Sequence, residues 1–401
     1  MKVLMLCGVF AKENEQEVMA HARSSVDFSA NLFQHKLISG FRALEHDFEV
    51  LSAPFIGSCP DISSIAWFRG FSQPQSLCRY VPFCNIWGLR NPSRSASLKK
   101  ALKKFVAEDC AEKLILVYCP HTPFLQAAVW AKARDSRIKI CLYVPDLPGY
   151  MNLSAKRSLI YDVAKRYDIA AMTKLMEQVD SFVLLTEQMK EALPVGDKPC
   201  RVIEGIITKE ELARSRTGAS REKRKDDLKY VVYTGKLNER FGVKNLVDAF
   251  LGIRDPAYRL VLCGRGDCER YVKEMQQRDS RVCYLGQVPA AEAKAWVAKA
   301  SVLVNPRQNN EVYTKYSFPS KNIEYLLSGN PVVAYKLDGM PEVYERFITM
   351  VKDDSVQALR AAIVESINGA DVSGDALAYL SEKCEAEQIC NEIIEMTGTG
   401  L

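Results

Sequence analysis

The 401-residue sequence has only four His, and none has a second His or Cys at metal-ligand spacing, which argues against a zinc centre. It has no Cys-x-x-Cys pair, and its thirteen Cys are an odd number, against both a dithiol redox motif and a disulfide framework. Cys7, Cys119, Cys141, Cys263 and Cys283 lie inside apolar runs, where a reduced thiol behaves as a small hydrophobe, so a reducing cytoplasm is expected. No apolar run approaches the roughly 20 residues that cross a bilayer. The opening "MKVLMLCGVF" has one Lys and runs into "AKENEQE" without a small-residue cleavage site, and so reads as a buried strand. No Asp-x-Asp, exact repeat or low-complexity tract occurs. The formal charge of +5 reads as mild and dispersed, which makes no case for nucleic acid as a partner.

What the chain does have is a globular composition, 48% apolar and 26% charged, and enough length for two domains. Strand-like runs alternate with helical patterns. In the first half the strands are "VLMLC" (3–7), "FEVLS" (48–52), "LILVYC" (114–119), "IKICLYV" (138–144) and "SFVLL" (181–185). Helical patterns fall near 26–44, 95–110, 123–134 and 156–179. The pattern weakens through the charged stretch "ELARSRTGASREKRKDDLK", and a second series follows: "YVVYTG", "YRLVLCG", "RVCYLG", "SVLVNP", "PVVAY" and "FITMV". Two βαβ series predict an α/β protein of two parallel-sheet domains, 1–204 and 205–373, with a last helix at 374–401 of unassigned packing. Ligands of such sheets bind at the carboxyl ends of the strands.

Three strand-to-helix junctions carry chemistry. In "YVVYTGKLNERFG" (230–242), Gly235 lets the backbone approach a ligand while Lys236 and Arg240 flank a helix entry, a setting for phosphate or simply a solvated loop. "LCGRGDCERYV" (262–272) has Gly-x-Gly after a strand but Glu269 where a dinucleotide fingerprint needs its third glycine. It is either a turn near a nucleotide or a structural turn. In "YTKYSFPSKNIEYLLSGNPVVAY" (313–335), Pro319 and Ser320 open a helix, Lys321 supplies charge, and Glu324 is an acceptor for a ribose diol or an ordinary helix glutamate.

These pieces, in order, resemble the nucleotide-sugar-binding domain of the family-four retaining glycosyltransferases over about residues 229–345, most strongly at "SFPSKNIEYLLSGNPVVA". The first half is similar through "VYCPHTPF", "LYVPDLP" and "VDSFVLLTEQM". The resemblance implies the GT-B architecture of two facing Rossmann-like domains with a nucleotide-sugar cleft. It also implies transfer of a hexose from a UDP-linked or other nucleoside diphosphate sugar to a saccharide hydroxyl, with retention, in surface polysaccharide assembly. Glu324 falls on the second glutamate of the family's Glu-x7-Glu signature, which binds the donor ribose. Phe318, Pro319 and Ser320 fall where backbone amides hold the donor, and Lys236 replaces the usual Arg. Lys315, Arg265 and Tyr284 are placed with them.

The chain departs from the family at three places. The first signature glutamate is Tyr316, the usual diphosphate lysine is Phe241, and the first-domain histidine aligns with Tyr118, with His121 three residues on. Arg240, Lys321 and His121 are therefore the expected catalytic residues, the first two steadying the departing diphosphate and His121 orienting the sugar or sharing a proton. Tyr118 and Asp146 are the expected acceptor side. No metal or other cofactor is expected, because the cations and a helix amino end can carry the charge. "RNPSRSASLKKALKKF" (90–105) is a basic amphipathic helix, suited to anionic lipid and a lipid-linked acceptor or to solvent alone. Cytoplasmic placement at the inner membrane face follows as an expectation. A sugar-nucleotide epimerase and a non-catalytic binding partner are the competing readings.

Overall fold

The computed structural model describes residues 1–23, 28–73, 78–148, 159–217, 227–369 and 372–398. Contacts divide the chain into two compact units, Met1–Thr208 with Cys384–Leu401, and Lys209–Lys383.

The first unit contains strands β1 (Lys2–Cys7), β2 (Asp47–Ser52), β3 (Trp67–Phe68), β4 (Phe71–Gln73), β5 (Cys78–Tyr80), β6 (Phe83–Cys84), β7 (Lys113–Tyr118), β8 (Ile138–Val144), β9 (Ser181–Leu184) and β10 (Cys200–Val202). Its helices are α1 (Glu15–His21), α2 (Phe28–Ala43), α3 (Arg90–Ala107), α4 (Thr122–Lys132), α5 (Leu159–Met176) and α6 (Met189–Ala192). The main sheet runs β10-β9-β8-β7-β1-β2-β5-β4, and β3 pairs with β6 in a separate ribbon. All neighbours in the sheet are parallel except β4 and β5. Strand β1 is buried at every position, as expected of a central parallel strand covered by helices on both faces. The order reverses between β1 and β7, which marks the ligand-prone crevice of this sheet.

In the second unit, α7 (Lys209–Arg216) precedes β11 (Lys229–Thr234), α8 (Val243–Leu251), β12 (Tyr258–Cys263), α9 (Glu269–Arg278), β13 (Val282–Gly286), α10 (Ala290–Lys299) and β14 (Val302–Asn305). Then come α11 (Ser320–Leu327), β15 (Val332–Ala334), β16 (Thr349–Met350), α12 (Val356–Ile367) and α13 (Ser373–Cys384). The sheet runs β13-β12-β11-β14-β15-β16, wholly parallel. Helix α8 shows why such segments fold as they do: Val243, Leu246, Val247 and Phe250 fall on one face and all are buried. They meet Val231, Leu260 and Val302 of the sheet in one core.

The expected single helix at the carboxyl end is two. Helix α13 stops at Cys384, Glu385 is extended, and the Ala386 N–H turns away to the Ile207 carbonyl at 2.9 Å. Helix α14 (Ala386–Thr397) then packs on the first unit, where Gly40 of α2 leaves room for the Ala386 carbonyl, 2.5 Å from where a Cβ would stand. Ser181 and Thr397 hydroxyls pair at 2.8 Å beneath it. The short strands β3 to β6 and β10 carry too little apolar alternation to be read from sequence. The expected helix at 156–179 begins within residues 149–158, which lie outside the described residues, as do 218–226 of the charged connection.

Candidate active site

The strand order of the second unit's sheet reverses between β11 and β14, which pair in parallel through Val231 with Val302 and Val232 with Leu303. The loops leaving these neighbouring strands are the ones that hold Gly235–Lys236–Arg240 and Phe318–Ser320–Lys321. They touch. Gly242, at the amino end of α8, has φ +76°, and a Cβ there would stand 1.8 Å from the Pro306 carbonyl oxygen, so no side chain fits.

Pro319, in extended conformation, precedes helix α11, and no side chain caps the helix's first turn. Lys321 reaches back from that turn. Its Nζ donates to Glu324 Oε2 at 2.7 Å and lies 3.4 Å from Thr234 Oγ1, the last residue of β11. Both side chains remain part-exposed, at 35% and 40%, so a ligand can reach them. The next residue, Tyr325, is fully buried and accepts the Thr234 N–H at 3.0 Å. This bond fixes α11 against the carboxyl end of β11, and burial pushes the Tyr325 hydroxyl pKa up. Asn322, also buried, accepts from the Asn305 amide at 2.7 Å and so ties the same helix to β14. Phe318 is buried against Tyr344, ring centroids 4.9 Å apart, so it anchors the loop by its ring and leaves only backbone for a ligand.

Around this helix end the cations differ in setting. Lys236 and Arg240 are exposed, and the Arg240 guanidinium lies 5.0 Å from the Phe241 ring. Lys236 is held at its backbone, where its carbonyl accepts from the Tyr233 hydroxyl at 3.0 Å. Lys315 lies 5.7 Å from the ring of Tyr316 in the turn before α11. Sequence reasoning missed Arg307. Its guanidinium donates to Ser317 Oγ at 3.2 Å, stacks 4.6 Å from Tyr313 and lies 5.8 Å from Phe241, so it spans both loops. An Arg two residues past a central strand end was the available signal. Tyr325, Thr234 and Asn322 were also missed, being apolar-face or strand residues whose partners are distant in sequence.

The Gly-Arg-Gly turn after β12 is a structural seat. A Cβ on Gly264 would meet the Gly235 carbonyl at 1.8 Å, and one on Gly266 would meet Asn238 Oδ1 at 2.2 Å. The Leu237 N–H donates to the Arg265 carbonyl at 2.8 Å, which fixes the neighbouring loop on this one. Arg265 and Tyr284 line an open groove beside it with Glu269 and Lys273, and the Tyr284 hydroxyl donates to the Gly264 carbonyl at 3.1 Å.

In the first unit His121 follows β7 and precedes α4, beside that sheet's own reversal. Its ring stands between Phe124, 4.7 Å away, and Phe55, 5.5 Å away, and its Nδ1 is buried without a partner. Burial first, then the positive charges of Arg94 and Arg90, hold its pKa well below the ordinary histidine value, so the ring is neutral. Arg94 is itself fully buried, donating to the Pro54 carbonyl at 2.5 Å and lying 4.3 Å from the Phe83 ring. Tyr118, expected on the acceptor side, is 3% exposed and stacks on Tyr143 at 5.9 Å in the core, so its ring is a packing side chain. Asp146 is exposed past the end of β8.

Residues 228–368 match the family model described as glycosyl transferases group 1. The matched segment is similar to a group 1 glycosyltransferase domain. It contains β11 through α12, and so both of the loops that meet at Gly242 and Pro306. No curated protein sequence matches the chain. Among solved structures, sucrose-phosphate synthase from Thermosynechococcus elongatus is similar at 17% identity, TM-score 0.64, over 98% of this chain and 97% of its own. Anabaena HepE, solved in complex with UDP, is similar at 16% identity and TM-score 0.58, over 98% and 99%. The lipopolysaccharide outer core galactosyltransferase WaaB gives 13% identity and TM-score 0.61, over 98% and 99%. The fold is GT-B, with two Rossmann-like domains.

Proposed function

We propose that the chain is a retaining glycosyltransferase that moves a hexose from a UDP-linked sugar to a hydroxyl of a saccharide acceptor, without a metal ion, in surface polysaccharide or glycoconjugate assembly. Residues 205–373 form the donor domain in this reading and 1–204 the acceptor domain. One observation carries it: the loops after β11 and β14 leave adjacent strands at the sheet's reversal and bring an uncapped helix end, Lys321 and Glu324 to one edge. Such an edge favours a diphosphate over a neutral ligand. The UDP in the HepE structure and the sugar chemistry in the names of the similar proteins support the donor class and the context.

The chemistry follows from charge. The anomeric carbon–phosphate bond breaks, its electron pair leaves with the nucleoside diphosphate, and the sugar becomes oxocarbenium-like. The acceptor oxygen forms the new bond on the same face, and its proton passes to the departing phosphate. In this reading Lys321, Arg240, Lys236 and the amides of Ser320 and Lys321 receive the departing oxygens and lower the barrier. Losing one such donor typically costs roughly 3–4 kcal/mol. Glu324 accepts from the ribose diol. Ring-neutral His121 acts on the acceptor side as an orienting hydrogen-bond group.

The test is a thermal-shift screen over UDP, GDP and ADP sugars, followed by NMR of the product formed with saccharide acceptors. Binding of a UDP-sugar and an anomer retained in the product support the reading. An epimer formed from the donor alone, without acceptor, would replace it with sugar-nucleotide epimerisation. Binding with neither transfer nor donor hydrolysis would assign a non-catalytic role, for which Tyr316 and Phe241 are the residues to revert.

A further inference from the structure

The positive charge of the chain is concentrated, not dispersed. Residues 57–107 hold eight Lys and Arg against the single Asp61, while the rest of the chain, with 46 bases and 48 acids, is close to neutral. Among its described residues the same segment holds five large apolar side chains that face solvent: Ile62 at 44%, Trp67 at 58%, Ile86 at 42%, Trp87 at 53% and Leu89 at 59%.

One backbone knot holds these five together. Buried Asn85 donates its side-chain amide to the Gly57 carbonyl at 2.7 Å and the Ile65 carbonyl at 2.9 Å. Its backbone N–H goes to Ala66 at 2.8 Å, and its carbonyl accepts from Cys59 at 2.9 Å. Trp67 pairs with Cys84 in the β3–β6 ribbon, and the Trp87 N–H donates to Cys59 at 3.2 Å. The Arg90 N–H then donates to Ile86 at 2.9 Å, so α3 starts where the apolar cluster ends. Along α3, Leu98, Leu102 and Phe105 face the core while Lys100, Lys103 and Lys104 are exposed.

We propose that Trp67, Ile86, Trp87 and Leu89 are the insertion edge of a docking surface for an anionic phospholipid bilayer, with the α3 lysines meeting the headgroups. Exposed Trp and aliphatic side chains bordered by Lys and Arg suit the acyl–headgroup boundary, where indole rings settle and nearby cations are attracted to anionic headgroups. Nucleic acid would use the cations and the indoles but leaves Ile62, Ile86 and Leu89 without a role. A neutral protein partner leaves the charge without one. This surface deepens the proposed function, on which it rests for its purpose: it would bring the enzyme to a lipid-linked acceptor.

The test is co-sedimentation with vesicles of phosphatidylcholine alone and of phosphatidylcholine with phosphatidylglycerol, using the full chain. The wild-type protein should bind the anionic vesicles, and brominated acyl chains should quench its Trp fluorescence. Trp67→Ser/Trp87→Ser/Leu89→Ser should lower partition at least tenfold, even at low salt, and abolish the quenching. Lys100→Gln/Lys103→Gln/Lys104→Gln should also weaken binding and flatten its salt dependence. All substituted side chains are exposed, so thermal stability should stay as in the wild type. Equal partition of the wild-type protein and the apolar variant overturns the proposal, as does binding without quenching. A wild-type oligomer that the apolar variant converts to monomer overturns it too, since the patch then covers a second copy. UDP-sugar binding, measured in parallel, separates this outcome from failure of the donor reading.

Discussion

Lys321 Nζ lies 2.7 Å from Glu324 Oε2, one turn along the same short helix. The pair is part-exposed, so its own contribution to stability is small. Its value is positional, because the ammonium holds the carboxylate beside the end of β11 with lone pairs left for a diol. Glu324→Ala should weaken UDP-sugar binding about 5- to 150-fold, the range for a lost acceptor of roughly 1–3 kcal/mol. Calorimetry checks this, and an unchanged affinity removes the ribose assignment.

Arg240 is exposed, with its guanidinium 5.0 Å from the Phe241 ring, so it can follow charge that develops on a phosphate. Arg240→Ala should lower kcat by about 100-fold with KM nearly unchanged, the pattern of a contact made mainly in the transition state. Steady-state kinetics decides. A rise in KM alone assigns Arg240 to ground-state binding.

Gly242 at φ +76° meets the Pro306 carbonyl. Gly242→Ala combines left-handed strain with a clash against backbone that cannot step aside, so destabilisation of about 2–4 kcal/mol is expected. Urea unfolding measures it. A loss below about 1 kcal/mol would mean the two loops tolerate separation.

The Tyr325 hydroxyl accepts the buried Thr234 N–H. Tyr325→Phe leaves that donor orphaned and should cost about 1–3 kcal/mol, with some loss of donor affinity as α11 loosens. If stability falls but donor affinity is unchanged, the helix end does not depend on this tie.

His121 titrates below its ordinary value of 6.5 in the folded chain because burial and Arg94 disfavour its charged form. The unfolded chain therefore binds the extra proton first as pH falls. Stability from the neutral ring is complete above about pH 6.5 and is lost progressively below it. His121→Gln should flatten the stability curve in that acidic window, as urea midpoints across pH will show. An unchanged slope would place the imidazole in water.

Much of the architecture was readable from the chain because its central strands are buried on both faces. "VLMLC", "LILVYC" and "YVVYTG" are near-continuous apolar runs, and the helices between them repeat at three and four residues. Glu324, Lys321 and the Pro-Ser helix start are local signals as well. What stayed hidden is non-local. Tyr325 meets Thr234 across 91 residues, Asn85 gathers three segments, and the break at Glu385 is set by a bond to Ile207. The burial of Tyr118 was not legible either, because a strand-end tyrosine faces the loops or the core according to register, and its ring stacks inward on Tyr143.

Hydrogen exchange with and without UDP tests the donor cradle most directly. Slowed exchange concentrated in residues 235–242 and 317–324 is the predicted result. Tight UDP binding that protects other segments and leaves both of these unchanged would contradict it.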